Sequence, residues 1–173
     1  MEDKKRNILF SEEQIKTRVK ELGEQISKDY EGEEIYVLPL LRGSFVFGAD
    51  IFKSIDVKAK VGFMTTSSYG HGEVSTGNVK VVNDIPDNIE GLNVLIVDDI
   101  VDTGYTMSFA VDHVKKLGAK SVKTCVLLDK PSRRKVEITP DYCCFEIEDL
   151  FVVGYGLDYH GFYRNVPYVF NWE

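Results

Sequence analysis

Residues 94–108 read Val94-Leu95-Ile96-Val97-Asp98-Asp99-Ile100-Val101-Asp102-Thr103-Gly104-Tyr105-Thr106-Met107-Ser108, an apolar run that passes through acids into a Thr/Gly turn and on toward a helix. Val94, Leu95, Ile96 and Val97 are consecutive apolar residues, the pattern of a short strand buried on both faces of a parallel sheet. In open α/β sheets ligands sit beyond the carboxyl ends of the strands, and this reading puts Asp98, Asp99 and Asp102 there. Three carboxylates so close together call for a cation. Thr103, Gly104, Tyr105 and Thr106 offer backbone N–H groups at a helix start, where unpaired donors and the macrodipole favour a phosphate. Gly104 lets that backbone approach its ligand closely. A ligand carrying phosphate, hydroxyls and Mg²⁺ together reconciles the acids with the cradle, and a phosphorylated ribose is such a ligand.

Ordinary strand-turn-helix units with capping acids share the bare pattern, as do two other kinds of site. A P-loop needs Lys and Ser or Thr after its second glycine, whereas Gly77 is followed by Asn78 and Val79. A receiver domain carries its acid pair after its first strand, and here half the chain precedes Asp98.

The composition is that of a globular protein. A chain of 173 residues, 43% hydrophobic, is most simply one domain over residues 1–173, long enough to bury a continuous core. A formal charge of -7 argues against a general nucleic-acid or membrane surface. No apolar run reaches the roughly 20 residues of a membrane span, and residues 1–10 lack the apolar core of a signal peptide, so a cytoplasmic location is expected. Cys125, Cys143 and Cys144 are odd in number and have no metal-binding spacing, which makes them buried thiols. His71, His113 and His160 are scattered and read as surface or loop residues.

In chain order, Ser11-Glu12-Glu13-Gln14 is a capping box, followed by Ile15, Val19, Leu22 and Ile26 on one helical face. Residues 35–41 form an apolar strand in which Pro39 implies an interrupted or edge position. Arg42-Gly43-Ser44 ends it, before a helix over residues 45–54. Residues 57–66 read as one strand, residues 67–78 as a polar lid loop, and residues 79–82 as a returning strand. Beyond the central turn, a helix runs over residues 107–117 with Phe109, Ala110, Val111, Val114 and Leu117 toward its apolar side, and Gly118 suits its left-handed stop. A strand over residues 122–128 closes on Asp129-Lys130-Pro131. The basic run Arg133, Arg134, Lys135 reads as a solvated face. Residues 142–147 and 151–155 are short strand candidates. The alternation predicts an α/β fold, a mostly parallel central sheet with helices on both faces, plus a small β-rich hood from about residue 142 to 173.

With Asp102, Thr103, Gly104 and Thr106, the central stretch resembles the ribose-phosphate-pyrophosphate signature of the type I phosphoribosyltransferases. Four further stretches are similar to motifs of their hypoxanthine-guanine branch, in the same order across nearly the whole chain. They are Leu41-Arg42-Gly43-Ser44, Ser67-Ser68-Tyr69-Gly70, Leu128-Asp129-Lys130-Pro131 and Phe151-Val152-Val153-Gly154-Tyr155-Gly156-Leu157-Asp158-Tyr159. The resemblance implies the type I phosphoribosyltransferase fold and transfer of 5-phosphoribosyl from 5-phosphoribosyl-1-pyrophosphate to hypoxanthine or guanine, giving IMP or GMP and pyrophosphate. It also implies Mg²⁺ held through Asp98, Asp99 and Asp158, and Asp102 as proton acceptor at the purine N7. Residues Asp102, Thr103, Gly104, Tyr105 and Thr106 would cradle the 5′-phosphate, while Arg42, Gly43 and Arg164 would meet pyrophosphate. Lys130, Phe151, Val152 and Asp158 would form the base site, Lys130 donating to the 6-oxo group, and Ser68 and Tyr69 would close as the lid. A cis Leu41-Arg42 peptide and a homodimer or homotetramer follow from the same resemblance.

The chain departs from the family pattern at Asp98, where Glu is usual, at Glu148 and Leu150, and at Arg42, where Lys is more frequent. Two other readings remain on the same fold: a guanine- or xanthine-preferring enzyme, and a catalytically weak regulator that binds nucleotide or RNA. Retention of Asp102, Lys130 and Phe151 in an acidic chain favours the enzyme.

Overall fold

A computed structural model describes residues 5–68 and 77–173. Helix α1 (Glu12–Asp29) begins at the expected box: the Ser11 hydroxyl accepts the Gln14 N–H at 3.2 Å, and the Gln14 side chain accepts the Ser11 N–H at 2.8 Å. Its buried face is Ile15, Val19, Leu22 and Ile26. Gly23 on the same face lets helix α2 (Phe45–Ser54) come close, since a Cβ there would lie 2.2 Å from the Ser54 hydroxyl oxygen.

Both helices cover one face of a seven-stranded sheet. Strand β2 (Glu34–Leu41) lies between β6 (Asn93–Val101) on one side and, on the other, β3 (Lys58–Val61) followed by β4 (Met64–Ser68), all parallel to it. Strand β5 (Val79–Asn83) runs antiparallel to β4 at one edge, while β7 (Ser121–Asp129) and β8 (Tyr142–Glu146) extend the sheet beyond β6 in parallel. Side chains alternate as a pleat requires. Ile35, Val37, Leu95 and Val97 face α1 and α2, whereas Tyr36, Leu38, Val94 and Ile96 join a second core on the face of helix α3 (Tyr105–Lys116).

Of the two positions expected for Pro39, the structure has the interrupted one: β2 is internal, but the strand beside it breaks, β3 pairing with β2 as far as Val37 and β4 resuming at Leu40. A residue without an N–H costs least at that gap. The single strand expected over residues 57–66 breaks at the same place, where the Gly62 N–H donates to the Val37 carbonyl at 3.1 Å and a Cβ at Gly62 would fall 1.7 Å from the Tyr36 hydroxyl oxygen. The hood does not begin at residue 142, because β8 belongs to the main sheet. It is instead a separate two-stranded sheet of β1 (Arg6–Phe10) and β9 (Val169–Trp172), with Val153 bridging to Phe170 and no strand over residues 151–155. Strand β1 is two polar residues followed by three apolar ones, too short and without the alternation that would mark it as a strand.

Candidate active site

Because β2, β6 and β7 are parallel, their carboxyl ends and the turns that follow open on one side. Strand β6 is longer than its apolar run suggests: Asp98 is in register with Val126 and Val101 with Asp129, so Asp98 and Asp99 project from the last turns of a paired strand rather than from a loop beyond it. A cavity of about 270 Å³ lies there, lined by the acids Asp98, Asp99 and Asp102, by Thr103, Gly104 and Thr106, and by Arg133.

The two neighbouring acids are held rigidly. Asp98 accepts the Asp99 N–H at 2.9 Å, and Asp99 accepts the Ile100 N–H at 2.8 Å. Burial, reinforced by the Asp99 carboxylate, pushes the Asp98 carboxyl well above the usual carboxylate range. Burial also raises Asp99, partly offset by hydrogen bonds from Asp98 and Ile100 and by the charge of Arg164. Such a pair is short of positive charge.

Backbone crowding ties two distant segments to this pair. A Cβ at Gly43 would lie 1.9 Å from Asp99 Oδ2, and a Cβ at Gly156, whose φ is +101°, would lie 2.3 Å from the Gly43 carbonyl oxygen. The turn after β2 is thus wedged between the acids and the hood. Its Leu41-Arg42 peptide is cis.

Gly104 (φ +90°) is the N-cap of α3, and the first turn of that helix presents the N–H groups of Tyr105, Thr106 and Met107 toward the cavity end. The helix buries Met107, Ala110 and Val114, while Leu117 is exposed at its C-cap, off the expected stripe. Gly118 makes the stop at φ +87°.

In the basic run after β7, Lys135 is exposed as expected, but Arg133 and Arg134 are not a solvated face. Arg134 is largely buried, ion-paired to Asp129, and donates to the carbonyls of Asp102 at 2.8 Å and Ile138 at 2.9 Å. It clamps the turn that carries Asp102. Arg133 donates through Nε to Asp102 Oδ1 at 2.9 Å and reaches Asp149 at 3.5 Å. Lys130 is buried to 7% exposure, with Nζ 3.9 Å from Asp149. Sequence reasoning missed Arg133, Arg134 and Asp149 as parts of the site. Their position three to five residues beyond a strand end was the available signal, and for the two arginines a run of like charges masked it.

In the hood, Phe151 is 59% exposed and lies near-parallel to Trp172, with centroids 6.4 Å apart and Tyr159 edge-on to both. A large aromatic held by aromatic neighbours yet open to solvent offers a stacking face. Val152 is buried beside it. Asp158 accepts the Gly161 N–H at 2.7 Å and pairs with Arg164 at 2.8 Å, and Arg164 also donates to the Gly156 carbonyl. Arg42 is exposed in the turn after β2. Tyr69 lies outside the described residues, as does most of the expected lid, and Ser68 is described only as the end of β4. The three cysteines are free, with Cys125 and Cys144 buried and Cys143 half-buried. His113 pairs with Asp84 at 2.8 Å.

Residues 6–160 match the family model described as the phosphoribosyl transferase domain. The chain belongs to that family. A hypoxanthine-guanine phosphoribosyltransferase of Streptococcus thermophilus is 46% identical over 164 residues, which are 95% of this chain and 91% of the relative. A hypoxanthine phosphoribosyltransferase of Buchnera aphidicola is 47% identical over 164 residues, covering 94% of this chain and 93% of the relative. Among solved structures, a hypoxanthine phosphoribosyltransferase of Staphylococcus aureus superposes with a TM-score of 0.94 at 41% identity, over 99% of this chain and 93% of that one. The fold is therefore that of the type I phosphoribosyltransferases, and the cavity at the carboxyl ends of β6 and β7 is this phosphoribosyltransferase's candidate active site.

Proposed function

We propose that this chain, acting as one catalytic unit over residues 1–173, carries out purine salvage. It transfers 5-phosphoribosyl from 5-phosphoribosyl-1-pyrophosphate to hypoxanthine, and to guanine, releasing pyrophosphate and IMP or GMP. In the transfer the bond from the anomeric carbon to the pyrophosphate oxygen breaks, a bond to a purine nitrogen forms, and the purine gives up a proton. The observation that carries this reading is that Asp98, Asp99, Asp102 and the α3 N-terminus share one cavity.

The first turn of α3, with Thr103, Gly104, Tyr105 and Thr106, binds the 5′-phosphate through backbone donors and the helix dipole. Arg42, Gly43 and Arg164 meet the pyrophosphate, Arg164 as a planar multi-donor. Asp102 accepts the proton from purine N7. Lys130, buried and a donor only, meets the 6-oxo group and opposes the amino group of adenine. Phe151 stacks on the base, Val152 meets its edge through the backbone, and Ser68 and Tyr69 close over the reaction. The buried, charge-deficient Asp98-Asp99 pair suits a divalent cation, and Asp158 would contribute to a second. No three His, Cys, Asp or Glu side chains gather as a complete metal site among the described residues. Asp98 and Asp99 would hold a Mg²⁺ there, with water and substrate oxygens completing its shell. When bound, it neutralises the departing pyrophosphate.

Among the described residues no helix is long and apolar enough to cross a membrane. We place the enzyme in the cytoplasm, which suits three free thiols. We also read it as a homodimer or homotetramer, supported by the exposed Phe45, Val61 and Phe63; a monomer by light scattering would refute this.

A steady-state assay with the phosphoribosyl donor, Mg²⁺ and hypoxanthine, guanine, xanthine or adenine in parallel tests the whole reading. Conversion of hypoxanthine or guanine, with a loss of about 10² to 10⁴ in Asp102→Ala, is expected of a missing general base. No conversion of any base would leave a nucleotide-binding regulator as the better account.

A further inference from the structure

Three carboxylates and one cation line the described cavity, and that cation, Arg133, faces the wrong way for an anion site. Its Nε donates to Asp102 Oδ1 at 2.9 Å, and a second nitrogen reaches Asp149 Oδ2 at 3.5 Å. One oxygen of the carboxylate that accepts the purine proton in the proposed reaction is thus already paired. At the same time the phosphate cradle has its cationic side chain turned onto an acid. Arg133 ends a single 3-10 turn, Pro131–Arg133, and its side chain is 35% exposed, so no packed core locks its rotamer.

A guanidinium shared between acids exchanges readily for a better acceptor. A phosphate dianion presents more charge and more acceptor oxygens than either aspartate, and Arg matches it in fork geometry. The turn beside it stays in place during such an exchange, because Arg134 holds the Asp102 carbonyl from a buried ion pair with Asp129.

We propose that Arg133 is a shared cation, which holds Asp102 while the cradle is empty and turns to the 5′-phosphate when the phosphoribosyl donor binds, uncovering the Asp102 carboxylate for the base. This rests on the phosphoribosyl-transfer reading above. It gives Arg133 two duties: it contributes to donor binding, and its departure opens the proton acceptor only when a donor is present.

The test titrates inorganic phosphate and the phosphoribosyl donor into the wild type, Arg133→Met, Arg133→Gln, Arg133→Lys, Asp102→Asn and the Arg133→Met/Asp102→Asn double variant, with kcat and KM measured where there is turnover. Loss of a charge-assisted contact, partly offset because Asp102 no longer competes, should weaken phosphate binding and raise the donor KM roughly tenfold in Arg133→Met. That loss should exceed the fall in kcat, and Arg133→Lys should recover part of it. In the Asp102→Asn background the cation is free to face the anion beforehand, so removing it should cost more phosphate affinity than it does in the wild type. Unchanged phosphate affinity and donor KM in both Arg133→Met and Arg133→Gln, each folded by circular dichroism, would overturn the proposal. So would a loss confined to kcat, which would make Arg133 only a support for Asp102. Wild-type turnover is read in parallel. If no base is converted while phosphate binding still depends on Arg133, the transfer reading fails and the cation's role in the cradle stands.

Discussion

Gly43→Ala should disable the site without unfolding the protein. The new Cβ would lie 1.9 Å from Asp99 Oδ2, and real Cβ contacts essentially never fall below 3.0 Å, so the carboxylate must retreat by about 1.1 Å. Retreat breaks or lengthens its 2.8 Å bond from the Ile100 N–H and shifts a group proposed to bind Mg²⁺ and ribose. The backbone cannot yield instead, because the Gly43 carbonyl is pressed against Gly156 from the other side. A misplacement of about 1 Å among positioning groups costs on the order of 10² in rate, or about 2.7 kcal/mol of transition-state stabilisation. The assay is kcat/KM for the phosphoribosyl donor across a Mg²⁺ titration, beside thermal melting. Gly62→Ala is the matched control: its Cβ would meet the Tyr36 hydroxyl at 1.7 Å, far from the cavity. That overpacking should lower stability by about 1 to 3 kcal/mol and leave the folded fraction active. Gly43→Ala with donor kcat/KM within twofold of the wild type would refute the wedge argument.

The clamp behind the cradle makes a second prediction. Arg134→Met leaves Asp129 buried without its partner and should cost about 3 to 5 kcal/mol in chemical denaturation, with Asp129→Leu in the same chain restoring much of it; equal stability of the single variant and the wild type would contradict a clamping role. Trp172 is the sole tryptophan and lies against Phe151, so adding IMP should change its emission, and Phe151→Leu should abolish that change while raising the KM for the base. An IMP response that survives Phe151→Leu would place the base elsewhere. The pH dependence follows from Asp98, whose folded carboxyl lies above its unfolded value because of burial and the Asp99 charge. The folded state then holds its proton more tightly, so this group's contribution falls as pH rises from the ordinary aspartate range through the raised one. Without metal, the melting temperature of Asp98→Asn relative to the wild type should therefore climb with pH, and a flat difference would count against the buried pair.

The legible parts of this protein are those in which one short stretch carries the whole instruction. The apolar run before Asp98 marks a buried strand because only a parallel sheet covers both faces, and Gly104 marks the turn because its φ of +90° is costly for other residues. The capping box at Ser11 is equally local. Misread stretches depend on partners far along the chain. Strand β1 exists because β9 pairs with it across the whole sequence, and the break at Gly62 exists because Tyr36 stands beneath it. Arg133 and Arg134 look alike in sequence, but one faces Asp102 and the other enters a buried pair with Asp129.

That dependence explains why the site's acids and its cations differ in how they can be read. Asp98 and Asp99 are consecutive on one strand and are held through local backbone N–H bonds, and Asp102 follows in the turn, so their spacing is written in one short stretch even though Arg134 clamps that turn from outside. The cations come from other segments: Arg42 after β2, Lys130 and Arg133 after β7, and Arg164 near the hood. Arg133 reaches Asp102, and Arg164 bears on Asp99, only after folding has brought these segments together, and Gly43 and Gly156 allow the close approach of the turn after β2 to the acids and the hood. The site thus combines acids held by local geometry with positive charge delivered by tertiary contact. Variants that loosen those contacts, rather than the acids themselves, should be the ones that separate substrate binding from stability.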